Sequence, residues 1–184
     1  MKFEWKRKRL DYFAEVKGGK RLPKGKNLTT DPKEHPYIRI RDIGTSKILE
    51  LNANYEYVDS ETQKLISRYT VSEDDILISI VGTIGLIGIV GKSLNNANLT
   101  ENCVKITNLT GIDKDYLYYY LISTWGQYEI SKATVGAVQL KLPIKNIQAI
   151  EIVYPEEREI QRKIVSILSL LDQKIQLNND INNN

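Results

Sequence analysis

The feature that most constrains the fold is a run of sixteen uncharged residues, 76–91, with the sequence ILISIVGTIGLIGIVG. Glycine recurs at every third position from Gly82 to Gly91, and the charged residues Asp75 and Lys92 bracket the run. A membrane-spanning helix needs about 18 to 20 predominantly apolar residues. The run is too short and too rich in glycine to form one, so we expect it to be buried within a folded domain.

The end of this run, Gly91-Lys92-Ser93, suggests a nucleotide-binding loop, but its spacing excludes one. A Walker A loop would need glycine at position 86, where the chain has Leu86, and a dinucleotide site needs Gly-x-Gly-x-x-Gly rather than a spacing of three. The run therefore predicts a buried hairpin with strands over 76–81 and 86–90 and a turn over 82–85. Gly88 in the second strand indicates a bulge or a close backbone approach.

Charge is distributed unevenly along the chain. Residues 1–50 carry 14 Lys/Arg against 7 Asp/Glu, a net charge of +7, whereas residues 51–184 carry 12 against 16, a net charge of −4. A clustered basic region is typical of proteins that bind a polyanion. The alternative is a solvated, lysine-rich surface, and charge alone does not separate the two.

The basic third of the chain divides into three predicted elements. Leu10, Phe13 and Ala14 have helical spacing, which predicts a short amphipathic helix over 4–16. A long basic loop follows over 18–36. The alternation in YIRIRDI then predicts a strand over 37–43 that buries two isoleucines and exposes Tyr37, Arg39 and Arg41 on one face.

The middle of the chain alternates helices and strands. We predict a helix over 60–67, a strand over 103–107 and a helix over 114–133 that Asp113 caps. The inward stripe of that second helix would consist of Leu117, Tyr120, Leu121 and Trp125. Its five tyrosines could stack on bases, but an aromatic stripe at helical spacing is more often part of a core.

The C-terminal third holds two further strands and a helix. A turn at Gly136 followed by alternation predicts a strand to residue 143, with Val138, Leu140 and Leu142 inward and Gln139 and Lys141 outward. The two outward residues could read a base edge and a phosphate, or simply be solvated. A strand over 149–154 leads to Pro155 in the first turn of a long helix. The heptad seam of that helix is Ile164, Leu168, Leu171, Ile175 and Asn178.

The composition argues against catalysis. With one histidine, His35, and one cysteine, Cys103, the chain has no zinc-ligand cluster and no Cys-His or Ser-His-Asp triad beyond what one histidine could support. A match to the PD-(D/E)xK nuclease motif falls on a predicted helix, and the Pro-Pro-aromatic motif of amino-methyltransferases is absent. We expect no catalytic site, cofactor or metal. The charged N-terminus and single cysteine favour a cytoplasmic protein.

Taken in order, several segments resemble one half of a specificity (S) subunit of type I restriction-modification systems. They are YIRIRDI, DDILISIVGTIGLIGIV, NCVKI, DYLYYYLIS, GAVQLKLPIKNIQAIEIVYP and EREIQRKIVSILSLLDQKIQLNNDIN. The resemblance covers nearly the whole chain. It implies an α+β target recognition domain over 1–155, with a mixed, twisted β-sheet and flanking helices, and a long C-terminal spacer helix over 156–184. A full S subunit repeats this unit, whereas this chain has no internal repeat, so we expect a half-length or truncated subunit.

The resemblance also implies a function and partners. An S subunit is not catalytic; each recognition domain reads one half of a bipartite site in double-stranded DNA. Its spacer helices form a coiled coil with a second S half or a second copy, and dock the methyltransferase (M) subunits and, through them, the restriction (R) subunit. The dimerising residues would be Ile164, Leu168, Leu171 and Ile175.

Candidate DNA-binding residues follow from these elements. We expect phosphate contacts from Lys17, Lys20, Arg21, Lys24 and Lys26, and base contacts from Arg39, Arg41 and Gln139. Further DNA-facing candidates are Tyr37, Lys92 and Lys141. The alternative is an interaction module that acts through its C-terminal helix without binding nucleic acid. An RNA-binding module is disfavoured, because no exposed aromatic platform is predicted.

Overall fold

The uncharged run folds as the predicted hairpin and lies within a mixed five-stranded sheet. The computed structural model describes residues 4–32, 34–44 and 46–182. The hairpin strands are one or two residues shorter than predicted. Numbered along the chain, the strands are β1 (Trp5–Arg9), β2 (Glu15–Gly18), β3 (His35–Ile38), β4 (Ile48–Leu49), β5 (Glu56–Val58), β6 (Ile76–Ser79), β7 (Ile87–Val90), β8 (Asn98–Leu99), β9 (Cys103–Thr107) and β10 (Glu151–Pro155).

These strands form three sheets. The central sheet has the order β2-β9-β6-β7-β4 and is antiparallel except that β4 runs parallel to β7. A second sheet, β5-β3-β8, is also mixed, and β1 pairs antiparallel with β10 in a two-stranded ribbon. The helices are α1 (Ser60–Ile66), α2 (Lys114–Ile122), α3 (Thr124–Ala133), α4 (Ile144–Gln148) and α5 (Arg158–Asn182). The predicted α+β class with mixed sheets and a long C-terminal helix is confirmed.

Side chains of β6 alternate between two hydrophobic clusters on opposite faces of the central sheet. Ile76 and Ile78 belong to the larger cluster, whereas Leu77 between them belongs to the smaller one. A strand that is covered on both faces has no position for a charged side chain, which accounts for the uncharged run. Burying each of these side chains contributes about 1.5 to 3 kcal/mol relative to leaving it exposed.

Gly88 makes a close approach rather than a bulge. It pairs with Leu77 in the regular register of the hairpin. A Cβ atom at this position would lie 2.8 Å from Cδ1 of Leu49 on β4. The missing side chain therefore makes room for the neighbouring strand's leucine.

The N-terminal segment is not helical, so the helix predicted over 4–16 is wrong. β1 pairs along its whole length with β10, and a 3-10 turn over Leu10–Tyr12 leads to β2 at the edge of the central sheet. Leu10 and Phe13 are buried, as their spacing suggested, but they reach the core from this turn. Pairing with strands distant in sequence outweighs the local helical periodicity.

The helix predicted over 114–133 is interrupted at Ser123. Its first part begins as expected, because the Asp113 carboxylate accepts hydrogen bonds from the backbone N–H groups of Asp115 and Tyr116. Ser123 ends α2 and then caps α3, with its Oγ accepting the N–H of Gly126 at 3.1 Å. The local capping preference of serine divides one predicted helix into two.

The interruption changes which aromatic side chains are buried. The tyrosines of α2 at positions 116, 118 and 119 lie in the larger cluster and Tyr120 packs against it, so their assignment to the core is confirmed. Tyr128 on α3 is 60% exposed, so for this fifth tyrosine the assignment is wrong. Trp125, predicted to face inward, is 56% exposed. That prediction is wrong because the break at Ser123 resets the helical phase.

Other predicted elements are close to the observed ones. The helix over 60–67 is α1, the strand over 103–107 is β9, and the strand over 149–154 is β10. Pro155 is the last residue of β10 rather than part of the following helix, which begins at Arg158. The sequence did not indicate α4. No helix within the described ranges is both long enough and apolar enough to cross a membrane.

α5 is attached to the domain by a buried amide. The Gln161 side chain is fully buried, accepts the backbone N–H of Asp113 at 2.7 Å and donates to the carbonyl of Pro155 at 2.8 Å. About three turns further along the helix, Tyr119 donates its hydroxyl to Asp172 at 2.6 Å. These bonds fix the direction in which the helix leaves the domain.

Gly19→Ala should destabilise the fold. An added Cβ would lie 2.0 Å from the backbone oxygen of Thr100 and 2.4 Å from that of Leu99. The end of β8 and the turn that links it to β9 must therefore move. We expect the free energy of unfolding, measured in urea, to fall by about 1 to 3 kcal/mol.

Gly18→Ala is the matched control for this change. Its Cβ would meet only Cδ1 of Ile144, at an ordinary 3.5 Å, and its stability should be unchanged or slightly raised. An equal loss in both variants would contradict the close packing at Gly19.

Candidate nucleic-acid interface

The turn between β6 and β7 is the centre of the candidate site. Gly82 and Gly85 adopt positive φ angles of 73° and 86°, which side chains other than glycine rarely adopt. The hydroxyl of Ser79 donates to the carbonyl of Thr83 at 2.6 Å and accepts the N–H of Leu86 at 2.9 Å. The Gln127 amide donates to the carbonyl of Gly85 at 3.0 Å. The turn therefore has a defined shape.

The predicted strand over 37–43 is wrong beyond Ile38. The Asp42 carboxylate accepts the backbone N–H of Arg39 at 2.7 Å, and residues 40–42 form a 3-10 turn instead of continuing the strand. Tyr37 is buried rather than exposed, and its hydroxyl donates to the carbonyl of Lys20 at 2.7 Å. Tyr37 therefore holds the start of the basic loop from inside the domain rather than standing on an exposed strand face.

Arg39 and Arg41 lie together despite the loss of the strand, because both pair with one carboxylate. Arg41 donates to Glu56 at 2.7 Å, and Arg39 forms an ion pair with the same side chain. Both guanidinium groups are about half exposed. The Asp42 carboxylate also lies 3.7 Å from Nε of Arg41. Two largely buried carboxylates thus accompany two half-exposed guanidinium groups, so the positive groups are the more accessible ones at this surface.

These arginines line a cleft of about 470 Å3 that reaches the β6–β7 turn. Its polar lining combines cations with hydroxyl and amide groups that donate and accept hydrogen bonds. The lining residues are Arg39, Ile40, Arg41, Ile43, Thr83, Leu86, Thr100 and Asn102. The sequence did not indicate Thr83, Thr100 or Asn102, because their only link to the arginines is the three-dimensional fold.

The basic loop begins beside the same cleft. The Lys20 backbone N–H donates to the carbonyl of Leu99, and Arg21 pairs with Glu101 at 2.6 Å. The Glu101 hydrogen bond raises the pKa of Arg21. Burial alone would raise the pKa of Glu101, but the bond from Arg21 lowers it below its usual value.

The remaining cations of the loop differ in their surroundings. Lys24 is exposed at the tip of a turn that Gly25 closes with φ +83°, and it forms no ion pair among the described residues. Lys26 pairs with Glu61 of α1 at 2.6 Å, and Lys17 on β2 pairs with Glu15 at 2.7 Å. Partner carboxylates thus reduce the positive charge that the sequence predicts for this loop.

The predicted strand over 135–143 is a loop. The backbones of Val135 and Lys141 exchange two hydrogen bonds of 2.8 Å, and residues 136–140 project between them. Leu142 is buried as predicted, but Val138 and Leu140, predicted to face inward, are exposed. The prediction failed because positive φ at Gly136 turns the chain away from the sheet.

This loop lies beside the β6–β7 turn. Lys141 forms an isolated bridge with Val81, and the N–H of Leu142 donates to the carbonyl of Ile80. Gln139 and Lys141 are exposed at this end of the molecule. The fold thus gathers the arginine cleft, the start of the basic loop and the 135–141 loop around one turn.

Lys92 is not part of this group. It follows β7 at the end opposite the β6–β7 turn. The Gly-Lys-Ser sequence there forms no phosphate site, because the Glu50 carboxylate accepts the N–H of Ser93 at 3.0 Å and also its hydroxyl. These two hydrogen bonds lower the pKa of Glu50.

His35, expected in a loop, is the first residue of β3.

The apolar residues of α5 fall into two groups. Ile164 and Leu168 of the predicted seam pack against the larger cluster of their own domain. Leu171 and Ile175, further along the seam, are exposed. Other exposed apolar residues of this helix, which the seam did not include, are Ile167, Leu170, Leu177 and Ile181.

Comparison with known proteins gives consistent matches. The model of the type I restriction modification DNA specificity domain matches residues 2–184. The specificity subunit of the type I restriction enzyme MjaIX from Methanocaldococcus jannaschii is 28% identical over 180 residues, which are 94% of this chain and 39% of that protein. The EcoBI specificity subunit of Escherichia coli is 29% identical over 151 residues, or 77% of this chain and 30% of that protein.

A solved structure has a similar fold. The S subunit of the type I restriction-modification system from M. genitalium superposes with a TM-score of 0.65 at 18% sequence identity. The match covers 95% of this chain and 40% of that one. The matches therefore span between 30% and 40% of the length of these relatives.

Glu56→Gln should strengthen binding to a polyanion. It removes the negative charge that Arg39 and Arg41 share, so the variant should elute from immobilised heparin at a higher salt concentration. Because ion pairs near the surface contribute about 0 to 1 kcal/mol, the midpoint of thermal unfolding should fall by no more than about 4 °C.

Glu159→Gln makes the same charge change on α5, where Glu159 pairs with Lys163. Equal shifts in elution for the two variants would show that net charge, and not the arginine cleft, governs the interaction.

Proposed function

The chain belongs to the family of type I restriction modification DNA specificity domains, and we propose that it binds double-stranded DNA sequence-specifically as a non-catalytic specificity subunit. In this proposal the domain reads one half of a bipartite site. It acts together with methyltransferase (M) subunits and, through them, the restriction (R) subunit. Residues 1–155 would form the recognition domain and residues 156–184 the spacer helix.

The convergence of separate segments at the β6–β7 turn is the observation that carries the proposal. Arg39 and Arg41, the Lys20–Arg21 segment and the 135–141 loop come from distant parts of the chain and lie at one end of the sheet. A surface that joins cations with neutral hydrogen-bonding groups suits DNA, since cations bind phosphates and amides and hydroxyls contact base edges.

Roles within this surface follow from side-chain chemistry. Lys20, Arg21 and Lys24 would contact phosphates, and Lys17 and Lys26 would contribute at its margin. Base reading would fall to Arg39, Arg41 and Gln139, because a guanidinium group can bind guanine through two hydrogen bonds and a Gln amide can bind adenine in the same way. The hydroxyl and amide groups of Thr83, Thr100 and Asn102 add contacts within the cleft.

Arg41→Gln should reduce sequence discrimination. The preferred duplex is first selected from a random library by the unmodified chain. Affinity for this duplex should then fall about tenfold to a hundredfold in the variant, while affinity for an unrelated duplex changes much less. Fluorescence anisotropy at a fixed salt concentration measures both affinities.

Lys92→Gln is the control, because Lys92 is an exposed cation at the far end of β7. It should change neither affinity appreciably. A general loss on both duplexes in Arg41→Gln would assign Arg41 to the phosphates, and no loss on either would contradict its place in the interface.

A second surface, on α5, favours assembly with protein partners. The helix extends beyond the hydrogen bonds of its Gln161 and Asp172 to the domain, and apolar side chains remain exposed along its C-terminal half. Exposed apolar residues at helical spacing are typical of a coiled-coil or docking face. We therefore propose that Leu171 and Ile175 belong to the dimerisation or docking face, together with Ile167, Leu170, Leu177 and Ile181. Ile164 and Leu168 would serve mainly to hold the helix on the domain.

Leu171→Glu should weaken this assembly. A carboxylate in an apolar helix interface is costly to bury, so co-purification with co-expressed M subunits, and any self-association measured by sedimentation, should decrease. Gln173→Glu introduces the same charge at the margin of the face, nearly opposite Leu171 around the helix, and should weaken both much less. Normal assembly of the Leu171 variant would contradict the proposed face.

A further inference from the structure

Val138 has a side chain with no neighbours to bury it. It is 102% exposed, the highest value among the large hydrophobic residues that the structure describes, whereas Leu140 and Val135 in the same loop are about half exposed. Single exposed apolar residues are common on protein surfaces, so exposure alone does not indicate a role. Two further observations concern the loop that carries Val138: how it is held in shape, and where it lies in the fold.

The loop that carries Val138 is held in shape before any ligand binds. Its base is closed by the two 2.8 Å hydrogen bonds between Val135 and Lys141 and anchored by the buried Leu142. Gly136, the residue after Val135, has φ +118°, and a Cβ atom at this position would lie 2.3 Å from the carbonyl oxygen of Gln139. The tip is therefore presented on a tight, closed turn.

The location of the loop places Val138 at the proposed DNA surface. Leu140 and Gly82 line one cleft of about 360 Å3, and Thr83, the next residue of that turn, lines the cleft of Arg39 and Arg41. The loop with the apolar tip and the arginine cleft thus flank the same β6–β7 turn.

We propose that Val138 recognises the 5-methyl group of a thymine in the major groove. This inference rests on the proposed function and assigns part of its specificity. The methyl group distinguishes thymine from cytosine in the major groove, and an apolar side chain is its natural contact. The adjacent Gln139 carries an amide suited to adenine, so the two neighbouring residues match the two bases of an A·T pair.

An apolar residue can also act as a wedge between base steps in the minor groove. Wedges are usually larger side chains such as Phe, Leu, Ile or Met. Valine beside glutamine agrees better with contacts to base edges in the major groove. The two modes differ in whether the thymine methyl group matters, and this difference gives a direct test.

The test compares two duplexes that differ only in methyl groups. One is the duplex selected by the unmodified chain, and the other has every thymine replaced by deoxyuridine, which lacks the 5-methyl group. Removing a buried methyl group should weaken binding by the unmodified chain about fourfold. Val138→Ala should bind the thymine duplex about fourfold less tightly, and its ratio of affinities for the two duplexes should fall towards one.

Val153→Ala makes the same truncation on β10, outside the proposed DNA surface, and should keep the ratio of the unmodified chain. If Val138→Ala keeps that ratio too, or weakens both duplexes equally as a wedge would, the inference is overturned while DNA binding stands. If the unmodified chain selects no duplex at all, the proposed function fails, and this inference fails with it.

Discussion

Burial of β6 on both of its faces is the constraint on which the rest of the structure depends. β9 and β7 pair with its two edges, and its side chains enter a different hydrophobic cluster at each successive position. Shifting the strand by one residue would exchange the two sets of side chains, so its register is strongly specified. The turn that follows β6 therefore has a fixed place, and the segments of the candidate site are arranged around that turn.

Carboxylates organise the cations at this end of the sheet. Glu56 holds Arg39 and Arg41 beside each other. Glu101, in the turn between β8 and β9, holds Arg21. Such pairs add little to stability where they are exposed. Their larger effect is to restrict long, flexible side chains to a few orientations, which lowers the entropy lost when the surface binds a ligand.

The sequence predicted the interior of the fold better than its surface. The hairpin, β9, β10 and α1 are where their patterns placed them, because full burial and capping leave a signal within a short segment. The helix over 4–16 and the strands over 37–43 and 135–143 failed, since pairing with β10, the Asp42 hydrogen bond and the Gly136 turn decide those segments. Arg39, Arg41 and Gln139 were singled out from sequence, but Thr83, Thr100 and Asn102 needed the fold.

Duplex DNA is proposed to bind around the β6–β7 turn. Photo-crosslinking to a selected duplex that carries a diazirine-bearing thymine analogue, whose carbene inserts into any nearby bond, tests this location. The crosslinked peptides are identified by mass spectrometry. Crosslinks are expected within 37–43, 80–86, 99–102 and 134–141. Crosslinks confined to the far end of β7 around Lys92, or to α5, would contradict it.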